Sequence, residues 1–464
     1  MSFKSSSSSI GLIPLILLIT GAIDSIRNLP GAALFGSSLI FFFVVASIVF
    51  LIPVAFIAAE LSSTWSDDEG GVYSWVKHAF GDKWAFMTIW LQWINTMVWY
   101  PSIISFIAGT AAYFFDPELA NHRGYIVSVI IVVFWSMTAV SLRGVGTSAR
   151  FAAVCAIVGM IIPMGLIIFL GIIWVVQGHP VQVHFTWNHL LPDFQHNQSW
   201  ISLTAIMAAF LGMELAAVHV KQVKDPKKNF PRGIFYSVAL ILLTMVFGSL
   251  TIAFVLPSDK INLVSGTMQA FSSFFEAYHL TWMVPVITVL LLIGSLGGMI
   301  NWIISPVKGL LMAAEHGYMP PLFVKRNKHG VASHLMIAQA VLVTVLCSAF
   351  LLIPSVNGIY WLLTALSTQL YMLMYILMFL AGLKTKKMYP ERLRSFTVPG
   401  GNTGFIVISA LGLLGCCITL AVGFIPPEIL DIGSVFRYEL TFCVGFIGLL
   451  LPSLFFYNYR RKIK

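Results

Sequence analysis

From Gly233 to Leu256 the chain runs 24 residues without one charged side chain, and from Phe151 to Val176 it does so over 26. A helix rises about 1.5 Å per residue, so about 20 apolar residues cross the roughly 30 Å hydrocarbon core of a bilayer. No other feature limits the fold so strongly. A spanning barrel would need short segments of alternating polarity, and none is seen. Laid along the sequence, the ruler predicts twelve spans, near residues 10–35, 37–60, 84–115, 124–142, 151–176, 199–219, 233–256, 281–312, 334–353, 357–382, 404–425 and 438–458. The expected fold is therefore an all-α integral membrane protein with twelve transmembrane helices. Only 10% of the 464 residues are charged, against about 25% in an ordinary soluble domain. That deficit excludes a soluble domain, a disordered chain, a coiled coil and a nucleic-acid-binding module.

The basic residues orient the spans. With both termini cytoplasmic, 23 of the 27 Lys and Arg fall on cytoplasmic segments; Arg123, Lys260 and Arg437 fall on the other side, and Arg27 lies inside span 1. A wrong span count would scramble this asymmetry, which is the one that sets orientation in membranes. It also accounts for the net charge of +9 without nucleic acid. The serine run Ser5–Ser9 precedes span 1 with no small-residue cleavage site after a compact apolar stretch, so no cleaved signal is expected. The five cysteines, Cys155, Cys347, Cys416, Cys417 and Cys443, sit in apolar stretches without ligand spacing and read as packing. After Asp67-Asp68-Glu69-Gly70-Gly71, the apolar positions Val72, Trp75, Val76, Ala79 and Phe80 repeat with helical period, which predicts a short amphipathic helix along the cytoplasmic face. The polar segment 177–198 holds His179, His184, His189 and His196 at irregular spacing. It reads as a solvated outer loop, and no metal or cofactor is expected.

An ionisable residue at mid-span costs about 2.5–3.5 kcal/mol on insertion scales and persists where it faces a cavity or a partner. Three stand out: Asp24 and Arg27 in span 1, and Glu214 in span 6. The rest of the spans reads as apolar or mildly polar. Span 1 contains Gly21, Pro30 and Gly31 around the two charges. Pro30 cannot donate to the carbonyl of Ile26, so the helix is expected to break there. Freed backbone groups at membrane depth must line a cavity or be buried in protein. Asp24 and Arg27, three apart, would pair with each other on a helix; alternatively one or both meet a charged substrate. Gly212 stands two residues before Glu214 and marks a second interruption. A lone buried carboxyl is suited to carry a proton, or else it bonds across helices as a neutral acid.

Interrupted spans five apart point to an inverted-repeat transporter with its site at the midplane. Spans 1–5 (residues 1–180) form one repeat, spans 6–10 (181–385) the other, and spans 11 and 12 (386–464) are additions. Half-helix N-termini can hold a carboxylate and unwound carbonyls an amine, and an amino acid carries both.

Several motifs, in order and at these separations, extend that expectation: Glu69-Gly70-Gly71-Val72-Tyr73-Ser74-Trp75, Gly212-Met213-Glu214 with His219-Val220, Asp225-Pro226 through Phe230-Pro231, Ile261-Asn262-Leu263, Asn327-Lys328-His329-Gly330-Val331 and Pro399-Gly400-Gly401. With them the chain resembles the amino acid–polyamine–organocation superfamily along essentially its whole length, and within it most of all the bacterial glutamate/γ-aminobutyrate antiporters. The resemblance implies a LeuT-like five-plus-five fold. It implies that Glu214 takes part in proton sensing or gating, and that Tyr371 and Tyr375 on span 10 line the pathway; aromatic packing is their alternative role. Met299 stands where the arginine/agmatine branch has an aromatic residue, and Gly298 where the glutamate/γ-aminobutyrate branch has an acid nearby. The family's small Gly-Ser-Gly turn is replaced by Ile23-Asp24-Ser25, which places Asp24 where substrate lies and favours an amine or guanidinium. The carboxy-terminal plug of the acid-resistance antiporter is not expected.

The function expected is secondary active transport of an amino acid or amino-acid-derived amine by alternating access, as an antiporter or with proton coupling; sodium coupling stays open. The expected substrate contacts are Ile23, Asp24, Ser25, Arg27, Gly212, Met299, Tyr371 and Tyr375, with Glu214 coupling protons to gating. The alternatives are a solute receptor or channel on the same scaffold and, for substrate, glutamate/γ-aminobutyrate exchange. No nucleophile–base set with usable spacing suggests an enzyme. The partners expected are the small-molecule substrate, protons and the lipid bilayer, with no nucleic acid, in a monomer or homodimer of a bacterial inner membrane.

Overall fold

The computed structural model describes residues 10–65, 71–144, 149–192, 197–217, 223–297 and 299–463. Within these the regular structure is helical, apart from an isolated bridge between Ile10 and Val223. In chain order the helices are α1 (Leu12–Ile23), α2 (Leu29–Ala33), α3 (Gly36–Thr64), α4 (Val72–Phe80), α5 (Asp82–Ala112), α6 (Arg123–Leu142), α7 (Phe151–Val176), α8 (Asn197–Ala209), α9 (Met213–Ala217) and α10 (Pro226–Val255). They continue as α11 (Gly266–Ala277), α12 (Met283–Gly297), α13 (Met299–Glu315), α14 (Ser333–Cys347), α15 (Val356–Met388), α16 (Gly401–Val422) and α17 (Val435–Ile463).

Nine of the described helical stretches are long and apolar enough to cross a bilayer, α12 and α13 together counting as one. A tenth is the bent pair of α1 with the turn and helix after it, whose axes differ by 41°. Two further predicted spans, α5 and the pair α8–α9, are helical but fall short of that test. Gln92, Asn95 and Thr96 dilute the apolar surface of α5, and α8 and α9 are each short. The chain is a multi-pass membrane protein.

Local chemistry sets the irregularities. In α3 and α7 one turn widens to the π form, at Ser47–Leu51 and Ile157–Ile161, just before Pro53 and Pro163. A proline lacks the N–H and crowds the preceding turn, and a π turn absorbs both defects without ending the helix. Helix α4 is the expected amphipathic helix, but it is more enclosed than a surface helix. Val72 through Val76 are all buried, because α4 packs on both α5 and α15.

The packing partners form a pattern. α1 lies on α10, and α8 lies on α3. α5 lies on α15, and α12 lies on α7. α5 also meets α14, α13 meets α6, and α6 meets α14. The short α4 sits on α5 and α15, while the short α11 sits on α12 and α7. Where α7 crosses α12, Gly159 and Gly294 touch backbone to backbone, so a Cβ on either would strike the other helix. Such small-residue crossings bring helices together by close packing, which matters where lipid removes the hydrophobic drive. Helix α17 is the least enclosed, with Val444 and Phe455 more than 60% exposed to what is, in this setting, lipid.

Candidate functional site

The first interruption follows Ile23. Asp24 (φ −67°, ψ 124°) and Ser25 (φ −150°, ψ 120°) are extended, and Ile26–Asn28 form a single 3-10 turn leading into α2. Pro30 is the cause expected from the sequence, and the structure adds the compensation. The carbonyl of Ile26 accepts the N–H of Leu29 and, at 3.2 Å, the hydroxyl of Thr267 at the start of α11.

The extended pair also settles the relation of Asp24 to Arg27. Outside a helix, positions three apart no longer stack, and no ion pair joins these two among the described residues. Asp24 turns toward α10, where Thr244 is its polar neighbour, and its Oδ1 is buried without a hydrogen-bond partner. Arg27 turns the other way. Its guanidinium lies 4.6 Å from the ring centroid of Trp99 on α5 and beside Tyr360 on α15. Ile23 and Ser25 are buried at the break.

The second interruption is Phe210–Gly212. Gly212 has φ +99°, a conformation that side-chain-bearing residues avoid, which explains why glycine stands there. Glu214 lies in the first turn of α9 and is 1% exposed. Both of its oxygens are bonded from α15: Tyr371 donates its hydroxyl to Oε1 at 2.5 Å, and Tyr375 donates to Oε2 at 2.5 Å. The N–H of Gly212 in turn donates to the Tyr375 oxygen at 2.9 Å. Gln92 of α5 also reaches the carboxyl. The edge of Phe50 packs against the Tyr375 ring at 4.9 Å. The structure thus joins Glu214, Gly212, Tyr371 and Tyr375 in one hydrogen-bonded cluster; Gln92 is a member that the sequence did not suggest. Met299 begins α13 and is buried in the core, with no hydrogen bond or ion pair linking it to this cluster among the described residues. Gly298, His196, His219, the Ser5–Ser9 run and the acidic stretch 67–69 lie outside the described residues.

One expectation is corrected. The described spans hold a further buried ionisable group, Glu60, in the last turns of α3 and 1% exposed. The sequence ruler ended this span at residue 60, whereas α3 continues to Thr64 and carries Glu60 inside. Its carboxylate pairs with Lys386, lies 3.4 Å from Arg394 and accepts the Val398 N–H at 2.7 Å. The partners come from the last turn of α15 and the segment after it, more than 300 residues away, which no local pattern could reveal. Around them Arg392 lies 3.9 Å over the Trp65 ring and donates to the Thr64 carbonyl, and Ser63 donates to the Phe396 carbonyl. Residues 389–398 are therefore bound down across the end of α3.

Two cavities are described, and neither contains Asp24 or Glu214. One of about 470 Å³ lies at the end of α13, between Ala314, Met319, Val324 and Lys325. The other, about 170 Å³, is bordered by Phe35, Ser37, Gln182, His184 and His189. His179, His184 and His189 are all exposed, and the Ser37 hydroxyl bonds the carbonyls of His184 and His189.

Comparisons with known proteins agree in kind. A family model described as amino acid permease matches residues 10–449. The chain is 40% identical over 444 residues to an uncharacterized transporter of Legionella pneumophila, covering 95% of this chain and 94% of that protein. It is 25% identical over 457 residues to a glutamate/gamma-aminobutyrate antiporter of Lactococcus lactis, covering 98% of this chain and 91% of that one. A probable agmatine/putrescine antiporter of the same species is 27% identical over 403 residues, with 86% and 84% covered.

Proposed function

This chain belongs to the amino acid permease family and is a transporter, and we propose on that premise that it carries an amino acid or amino-acid-derived amine by alternating access, coupled to exchange or to protons. The observation that carries the proposal is the pair of interrupted helices, α1–α2 and α8–α9, with α9 packed against α1 and a buried hydrogen-bonded carboxyl at the second break. Counting α5 and α8–α9 as crossings gives twelve spans in all. Number them in order. The pairings in the fold then repeat under a shift of five: span 1 on 7 answers 6 on 2, span 3 on 10 answers 8 on 5, and 3 on 9 answers 8 on 4. The two short helices α4 and α11 exchange places under the same shift. Because five is odd, such a repeat is inverted in the membrane, and this supports repeats at 1–180 and 181–385 with 386–464 as an addition.

The substrate region of the proposal is the break in span 1 (Ile23, Asp24, Ser25, Arg27) and that in span 6 (Gly212), with Tyr371, Tyr375 and Met299 as neighbours. Glu214 is the coupling group. In the present arrangement both carboxyl oxygens accept from phenols. A proton on either oxygen makes it a donor, so the phenol opposite must turn its own O–H away. Tyr375 also holds the Gly212 N–H, so a change of protonation at Glu214 acts directly on the break in span 6. By its charge asymmetry the protein is oriented with both termini in the cytoplasm of a bacterial inner membrane. Uptake and counterflow of radiolabelled amino acids and amines into proteoliposomes test the proposal. Saturable exchange supports it, and steady ionic current without solute exchange overturns it in favour of a channel.

A further inference from the structure

Arg27 lies among helices with no acid paired to it among the described residues. It stands in the 3-10 turn beyond the first break, its guanidinium over Trp99 and beside Tyr360. No carboxylate pairs with it among the described residues, and Asp24 has turned toward Thr244 on α10. A guanidinium offers five donors in a planar fork matched to a carboxylate, and the face of an aromatic ring satisfies its charge but none of those donors. An arginine kept at membrane depth in this state is short of an anion.

A line of partly exposed groups leads to it. On α5, Gln92, Thr96 and Trp99 fall at i, i+4 and i+7, hence on one face. That face points inward, since Gln92 reaches Glu214 and Trp99 carries Arg27. Yet all three remain partly exposed, while Trp93, Asn95, Met97, Val98 and Tyr100 between and beside them are buried. Arg27 and Asn28 are partly exposed too, between the buried Ile26 and Leu29. A row of partly exposed side chains therefore follows α5 from Arg27 toward the buried Glu214. Seven residues of helix make the row about 10 Å long, the length of a small solute and too short for a peptide.

We propose that Arg27 is the specificity-determining residue for a substrate carboxylate. A free carboxylate takes the guanidinium fork that Trp99 leaves unused, and the body of the solute lies along α5 toward Glu214. Decarboxylated amines, which present a second cation or an apolar end to Arg27, are rejected. This reverses the expectation drawn from Asp24 in the sequence. It rests on the transport reading above and narrows its substrate class from amino acids or amines to carboxylate-bearing solutes.

The test uses pairs that differ only in the α-carboxylate: arginine and agmatine, ornithine and putrescine, leucine and isoamylamine. Thermal stabilisation of the purified full chain and counterflow in proteoliposomes are measured for each. The acid of any recognised pair should bind at least tenfold tighter than its amine. Arg27→Gln should raise the KM for the acid roughly ten- to a hundredfold, the loss of a charge-assisted hydrogen-bonded contact. Arg27→Lys, which keeps the charge without the fork, should fall between. An amine recognised as well as its acid, or an unchanged KM in Arg27→Gln, overturns the proposal. The wild-type ranking decides it even where Arg27→Gln folds poorly. If amines alone are carried, the transport reading stands and this one falls; if nothing is carried, both fall.

Discussion

Removing the carboxylate of Glu60 should loosen the whole C-terminal end of α3, and the size of the effect follows from its surroundings. The group is 1% exposed and serves Lys386, Arg394 and the Val398 N–H at once. Breaking a buried ion pair from one side costs about 3–5 kcal/mol, because the other charge is left without compensation. Here the side chains of Lys386 and Arg394 retain 15% and 9% exposure and can swing toward water, so the lower end, about 3 kcal/mol, applies to Glu60→Gln. The amide oxygen of the glutamine can still accept from Val398, so Glu60→Ala should cost about 1 kcal/mol more. Unfolding entropy near 2.1 cal/mol/K per residue makes 3 kcal/mol a drop of about 3 °C for a chain of this length. Tryptophan fluorescence of the detergent-purified protein during a thermal ramp measures it. A second background isolates the cause: with Lys386→Met and Arg394→Leu already in place, the added Glu60→Gln should cost little. A Glu60→Gln protein that unfolds within about 1 °C of the wild type, or one that pays the same penalty in both backgrounds, would refute the reasoning.

Other substitutions probe other joints. Tyr371→Phe and Tyr375→Phe each remove one donor to Glu214 and should each cost about 1–3 kcal/mol in thermal unfolding. The two losses should not add, because both act on one carboxyl, and a double-mutant cycle will read the difference. Gly212→Ala forces a side chain to φ +99°; about 1–3 kcal/mol of strain should appear as a lower unfolding temperature. Gly294→Ala puts a methyl group into the backbone of α7 at Gly159. The helices must separate, and the yield of monodisperse protein in size-exclusion chromatography should fall sharply.

The helices were legible because lipid imposes a simple demand on sequence: long apolar runs, few charges, and basic loops on one side. Both interruptions were legible for a local reason, since Pro30 and Gly212 carry their backbone consequences with them. What the residues alone left open was who meets whom. Asp24 and Arg27 looked like partners because helical spacing was the only geometry available, and the extended backbone at 24 and 25 separates them. The pairing of Glu214 with Tyr371 and Tyr375 spans about 160 positions; family resemblance put all three on the pathway, but neither it nor spacing joined them. Glu60 was missed because a hydropathy ruler stops at the first charge, and its partners lie at the end of α15 and beyond it. Trp99 and Gln92 passed as ordinary members of an apolar helix, since nothing in α5 itself marks the side that looks inward.

The hydroxyl of Thr267 on the Ile26 carbonyl, with Gly266 close against Pro30, ties the hinge of the first helix to the short helix α11 more than 200 residues downstream. The α2 arm of that hinge cannot swing by itself: it must drag α11 along or first let go of Thr267. Opening on that side is therefore a joint movement of two segments that the chain order keeps far apart, with this hydrogen bond among the contacts it must carry or break.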